Sequence, residues 1–338
     1  MKKRHFKKLI ALIISIILSI IPLAVFTVNA EEYQDGDYSY SVENGEATIT
    51  DYNGNGGDIT IPSTLGGYPV TSIGVQTFWE CSSLTGIIIP SSVVIIDNYA
   101  FLGCNKLKGI EIPNSVTSIG GAVFSGCSSL ANITIGSSVE DIGPSAFYNT
   151  AYYNDDNNWE NGVLYIDNYL IRARVGILGE YQIKDGTKII ADNAFENCKF
   201  LTSITVPSGV NSIGGAAFRN CSNLISLTIP YSVNTIGGGA FYNCNSLTIY
   251  CREYSCAMFA AITQNIKYEL LKNIFGDLTN DGVIDANDLI ILRLILLSDT
   301  KGYSEEIDIN GDGKVNIADL VRLKKHLANR NIPLGKID

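Results

Sequence analysis

The sequence predicts a repeat solenoid of parallel β-strand rungs joined by short turns and helices, followed by a small all-α domain of two loop-helix units. Three observations carry this prediction. A 23-residue unit recurs through the middle of the chain, a phenylalanine followed three residues later by a cysteine marks each unit, and a crowded acidic motif occurs twice near the C-terminus. The 338 residues suffice for two or three domains, and 46% hydrophobic content suffices for a sizeable core.

At the N-terminus, Lys2, Lys3, Arg4, Lys7 and Lys8 precede an apolar run from Leu9 to Val28, and Val28-Asn29-Ala30 offers small residues before Glu31. This reads as an export signal over 1–30, cleaved before Glu31. The run is also long enough for an uncleaved anchor. No second apolar run of spanning length follows, so no membrane span is expected after cleavage. The mature chain carries 19 Lys+Arg against 34 Asp+Glu, a net charge of −15. Such a surface repels phosphate backbones, so nucleic acid is not an expected partner.

The repeat is plain in three consecutive units: "VTSIGVQTFWECSSLTGIIIPSS", "VVIIDNYAFLGCNKLKGIEIPNS" and "VTSIGGAVFSGCSSLANITIGSS", from Val70 to Ser138. Phenylalanine recurs at Phe78, Phe101, Phe124 and Phe147, then at Phe195, Phe218 and Phe241. Cysteine recurs at Cys81, Cys104, Cys127, Cys198, Cys221 and Cys244, with Thr150 standing in once. The units hold a strand pattern Leu-x-x-Ile-x-Ile-Pro, as in Leu107 to Pro113 and, with Leu227 for the first Ile, Leu224 to Pro230; Gly136 replaces the proline in the third unit quoted. Proline ends the strand because it cannot donate to a ladder. The Ser-x-Ile-Gly and Ala-Phe segments are expected to turn the chain and bury Ile and Phe beneath the strand. One unit cannot bury its own apolar face, whereas stacked units can. The Thr-Ser-Ile-Gly, Ala-Phe-x-x-Cys-x-x-Leu and Ile-x-Ile-Pro pieces resemble the BspA-like leucine-rich repeats of bacterial surface and secreted proteins, a likeness that implies a fold and says little about activity.

The spacing breaks between Phe147 and Phe195, a step of 48 residues. Within the break "GVLYIDNYLI" reads as a β-hairpin turning near Asp167-Asn168. Trp159 with Tyr152, Tyr153, Tyr165, Tyr169 and Tyr181 concentrates aromatic surface there, either as a contact surface or as packing of the hairpin onto the rungs. The segments flanking the repeats read as caps over open solenoid ends. The division is therefore 31–69 N-terminal cap, 70–268 solenoid (break at about 150–187, C-terminal cap 248–268), 275–330 helical domain and 331–338 tail. Cysteines at one place in successive rungs point their side chains in parallel, which suits packing rather than bridging. Cys251 and Cys256, outside that row, are the pair for which a bridge stays open.

The acidic motif is "DLTNDGVIDANDL" from Asp277 and "DINGDGKVNIADL" from Asp308. Both follow D-x-[DN]-x-[DN]-G-x5-E, a calcium loop, with Asp at the last position and Thr279 at the third position of the first copy. A hard divalent cation takes six to eight oxygens at roughly 2.3–2.6 Å, which explains why mutually repelling carboxylates are crowded together. Two Ca2+ are expected. Their ligands would be Asp277, Thr279, Asp281, Val283, Asp285 and Asp288 in one loop, and Asp308, Asn310, Asp312, Lys314, Asn316 and Asp319 in the other, with Val283 and Lys314 contributing carbonyls. Leu289, Leu292 and Leu296, then Leu320, Leu323 and Leu327, give a following helix an apolar stripe in each copy. This duplication resembles the dockerin domain of cellulosome-associated proteins. The resemblance implies docking onto a cohesin domain of a scaffoldin, through Ala286, Asn287, Arg293 and Leu294 in one copy and Ile317, Ala318, Lys324 and Lys325 in the other. The two faces differ, which argues against two equivalent binding orientations.

The only histidines are His5 and His326, so the solenoid has none and the common triad and zinc mechanisms lack their base. Carboxylates such as Glu111, Glu140, Asp141, Glu160 and Glu180 are scattered without a motif. The function expected is therefore a secreted, non-catalytic binding or adhesion protein held on a cellulosome-type complex involved in polysaccharide degradation, its solenoid ligand a protein or a polysaccharide. A carbohydrate-active (O-glycosyl) hydrolase delivered by the same plug, and a free-standing cell-surface adhesin, are the alternatives.

Overall fold

The computed structural model describes residues 31–271, 276–278, 284–297, 307–310, 314–329 and 334. The expected export signal (1–30) lies outside them. Each repeat contributes two strands to two rows. The longer strands, among them Leu84–Ile88, Gly109–Ile112, Asn132–Ile135, Leu201–Thr205 and Ser226–Thr228, start where the Leu-x-x-Ile-x-Ile-Pro pattern places them. They pair in parallel at the repeat spacing, as in Ile110 with Ile133 and Ile204 with Leu227.

The Ser-x-Ile-Gly segments differ from their expected role as turns. They form a second row of two-residue parallel strands: Ile95–Ile96, Ser118–Ile119, Asp141–Ile142, and beyond the break Ile189–Ile190, Ser212–Ile213 and Thr235–Ile236. Glycine follows four of the six (Gly120, Gly143, Gly214 and Gly237), where the rungs touch. A Cβ on Gly143 would sit 2.5 Å from the Gly121 nitrogen, closer than any side chain tolerates.

The turn between the rows wraps around the buried phenylalanine. Residues on either side of it take left-handed φ, such as Ala122 (51°) and Gly126 (73°) around Phe124. Successive turns are also hydrogen-bonded: Phe101 N–H donates to Val123 O at 2.9 Å and Phe124 N–H to Ala146 O at 2.7 Å. The phenylalanine rings therefore stack, Phe78 on Phe101 at 4.9 Å, Phe101 on Phe124 at 5.2 Å and Phe124 on Phe147 at 5.6 Å between centroids. The repeat cysteines form a parallel row in which Cys104, Cys127, Cys198, Cys221 and Cys244 are buried and Cys81, at the first rung, is half-buried. The thiols of Cys104, Cys127, Cys221 and Cys244 reach the carbonyls of Phe78, Phe101, Phe195 and Phe218 at 3.0, 3.1, 3.1 and 2.9 Å. A weak S–H donor thus adds a second bond, from the next rung, to a carbonyl that already accepts the backbone N–H of the cysteine in its own turn, as Phe78 O does from Cys81 at 3.1 Å.

The break contains the expected hairpin. Val163–Ile166 pairs antiparallel with Tyr169–Ala173, Ile166 opposite Tyr169, and Asp167 takes φ of 50° in the turn. Tyr169–Ala173 then resumes the parallel short-strand row against Ile189–Ile190. The aromatic group packs the hairpin onto the rungs. Tyr169 is buried and its hydroxyl donates to Gly136 O at 2.6 Å, the Tyr152 hydroxyl donates to Tyr165 O at 2.9 Å, and Trp159 Nε1–H donates to Tyr153 O at 2.8 Å. Short helix α1 (Ala151–Asn154) opens the break.

The three antiparallel strands Glu32–Asp35, Tyr38–Glu43 and Glu46–Tyr52 cover the first rung. Beyond the last repeat, strand Thr248–Cys251, helix α2 (Cys256–Thr263) and strand Lys267–Leu270 close the other end, with Ser255 capping α2. Two further helices follow, α3 (Ala286–Leu297) and α4 (Ile317–Ala328). Leu292, Leu320 and Leu323 are buried between them with Ile309, and Leu289, Leu296 and Leu327 pack alongside, as the apolar stripes predict. Among the described residues no helix is long and apolar enough to cross a membrane.

Candidate functional site

The acidic loops are closed by their last carboxylate. Asp288 is fully buried, and its two oxygens accept the N–H groups of Leu278 and Asp285, each at 2.7 Å. Asp319, equally buried, accepts from Asn310 at 3.1 Å and Asn316 at 2.7 Å. The twelfth position of each loop is thereby held against the start and the ninth position of the same loop, and the arrangement repeats in both copies. Asp285 and Asn316 accept the N–H two residues on at 2.7 and 2.8 Å, so the ninth-position side chains also cap α3 and α4. Thr279, Asp281, Val283 and Asp312 lie outside the described residues. Among the described residues no group of three or more acidic, His or Cys side chains stands as a ready metal cage. The donor set nevertheless fits a hard cation: it is all oxygen, and the loop ends are already drawn together.

Every residue on the expected partner face is exposed: Ala286, Asn287, Arg293 and Leu294 on α3, Ile317, Ala318, Lys324 and Lys325 on α4. Leu294 is 58% and Ile317 66% open. At the other end of the first loop, Asp277 is buried against the solenoid cap. Arg252, which follows strand Thr248–Cys251, places Nη2 2.6 Å from Asp277 Oδ2.

The solenoid carries a separate feature at the break. Where the two halves of the short-strand row meet, with Asp192 N–H donating to Ile142 O at 3.0 Å, a cleft of about 970 Å³ opens across the rungs. Hydroxyls and amides from Thr117, Ser137, Asn211 and Thr235 line it, with Lys188 and the carboxyls of Asp141 and Asp192. Burial pushes the pKa of both carboxyls above the usual carboxylate value, and the charge of Asp141 adds to the rise at Asp192. Of the carboxylates singled out in the sequence, Glu140 and Asp141 line this cleft. Glu111 and Glu180 stand exposed on strands, and Glu160 pairs with Lys184 at 2.9 Å. Asp192 escapes a motif search. Its one signal is that it occupies the rung position taken by Gly215 in the next unit, as the pairing of Ile190 with Ile213 shows.

Residues 52–177 and 175–260 match the BspA type leucine rich repeat region (6 copies), and residues 275–328 match the dockerin type I domain. No curated protein matches the chain. Among solved structures, the chain is similar to the leucine rich repeat protein of T. pallidum, at 26% identity over 71% of this chain and 98% of that one, with a TM-score of 0.37. It is also similar to a leucine rich cell surface protein from Faecalibacterium prausnitzii, at 24% identity over 69% and 97% of the two chains, with a TM-score of 0.25. A dockerin type I domain is a calcium-binding domain and implies a cohesin partner in a cellulosome-type assembly, while the repeats imply binding or adhesion. The repeat match spans more than half of the sequence, and so the chain belongs to the BspA type leucine-rich repeat proteins and carries a dockerin type I domain behind its repeats.

Proposed function

We propose that this is a secreted, non-catalytic binding or adhesion protein, exported by a signal over 1–30 and held by its dockerin on a cohesin of a scaffold engaged in polysaccharide degradation. The observation that carries the reading is the repeated loop closure, Asp288 over the first loop and Asp319 over the second. In this reading each loop holds one Ca2+, two in all, on the twelve ligands given above. The solenoid (70–268, with its cap from 31) and the dockerin (275–330) act as display and tether. Calcium supplies folding energy, because the loop carboxylates repel one another without it. The exposed residues of α3 and α4 are then the cohesin contacts, and the unequal faces favour one orientation. Asp277→Ala combined with Asp308→Ala should abolish the calcium-dependent gain in helical circular dichroism. An unchanged spectrum with and without chelator in the wild-type chain would refute the reading.

A second reading is favoured by the pair Asp141 and Asp192, two carboxyls of raised pKa in one polar cleft. It makes the solenoid a hydrolase of glycosidic bonds. Turnover on a panel of plant polysaccharides, lost in Asp141→Asn and in Asp192→Asn, would establish it. Retention of polysaccharide without turnover supports binding, and retention by cells instead supports a free-standing adhesin.

A further inference from the structure

We infer that Arg252, a residue of the solenoid cap, sets the calcium affinity of the first dockerin loop by competing with the metal for Asp277, so that metal loading and attachment of the loop to the solenoid are linked. The inference rests on the reading of 277–288 as a calcium loop. Asp277 opens that loop, and its side chain is wholly buried against Arg252, itself 3% exposed, at 2.6 Å. The next residue, Leu278, donates its N–H to Asp288 at 2.7 Å. The guanidinium therefore lies within one residue of the point where the first and twelfth positions of the loop converge. In the second loop the counterpart, Asp308, is partly open to solvent.

A buried ion pair persists because each charge compensates the other, and removing either partner leaves the other uncompensated. A divalent cation entering the first loop needs an oxygen of Asp277. It must share that carboxylate with Arg252 across a few ångströms of partly desolvated space, where like charges repel strongly. Calcium therefore binds the first loop more weakly than the second, and its arrival expels the guanidinium. Because linkage is reciprocal, whatever holds Arg252 on Asp277 also disfavours calcium. The cap is built to register the change. Arg252 O accepts the Ser255 hydroxyl at 2.7 Å, and the Ser255 oxygen accepts Met258 N–H at 3.2 Å to cap α2. Movement of Arg252 thus reaches the last helix of the solenoid.

The test uses the full chain as wild type, Arg252→Gln and Arg252→Lys, titrated calorimetrically with calcium chloride alone. Backbone hydrogen exchange over 248–263 is followed with calcium and with chelator. The wild type should show two unequal sites. Arg252→Gln should tighten the weaker one roughly tenfold or more and leave the stronger unchanged. Arg252→Lys, which keeps the charge, should stay within a few-fold of wild type. Calcium should speed exchange over 248–263 in the wild type and not in Arg252→Gln. A weaker site that is unchanged or loosened by Arg252→Gln overturns the coupling while leaving the calcium loops intact. Absence of calcium uptake by the wild type overturns both.

Discussion

Truncation of Phe124 tests whether the stacked rings hold the rungs together. The side chain is fully buried and lies between Phe101 at 5.2 Å and Phe147 at 5.6 Å. Removing a buried phenylalanine costs about 3–5 kcal/mol, and each lost ring contact adds about 0.5–1.5 kcal/mol. Phe124→Ala should therefore cost about 5 kcal/mol, comparable to the whole stability of many domains. Phe241, at the last rung, has one phenylalanine neighbour in the stack, Phe218 at 5.9 Å. Phe241→Ala should cost about 1–2 kcal/mol less than Phe124→Ala, because a solenoid's stability is a sum over neighbouring rungs. Urea unfolding followed by tryptophan fluorescence measures the difference. The only two tryptophans, Trp79 and Trp159, lie on either side of Phe124 in the chain. Equal losses, or a larger loss at Phe241, would refute the neighbour-stacking argument.

Ala122→Gly should stabilise the solenoid by about 0.5–1 kcal/mol, since φ of 51° penalises a Cβ, and the unfolding midpoint reports it. Gly143→Ala should do the reverse by about 2 kcal/mol or more, because the new Cβ meets backbone at 2.5 Å. Burial pushes the Cys198 thiol from 9.0 up to about 11, so the folded state favours its neutral form. That contribution is fully present below about pH 9 and is lost as pH rises to about 11, worth roughly 2–3 kcal/mol. Stability against pH should consequently fall less steeply over that window in Cys198→Ala than in wild type. Trp159→Ala should destabilise the solenoid by about 2–4 kcal/mol, seen as a lowered melting midpoint, as expected of packing rather than of an open contact surface.

The repeated Phe and Cys made the fold legible, because residues that stack on their own copies must recur at the rung spacing. The hairpin was equally legible, since Asp167-Asn168 sits between two apolar runs. The second strand row was not. Pairs such as Ser118–Ile119 are too short to show the alternation that betrays a strand, and their ladder exists only once the units are stacked. The dockerin match over 275–328 could be read because the members of each acidic motif are local in sequence. Asp192 and Arg252 could not. The first joins Asp141 only through the break, and the second meets Asp277 from 25 residues away across the solenoid cap.

The most direct measurement is calorimetric titration of the full chain against a panel of cohesin domains, in calcium and then in chelator. The account predicts that one cohesin class binds with calcium, that chelator abolishes the binding, and that charge reversal at Lys324 and Lys325 weakens it. Calcium uptake without binding to any cohesin would contradict the tethering role and leave a metal-stabilised domain behind a free-standing adhesive solenoid.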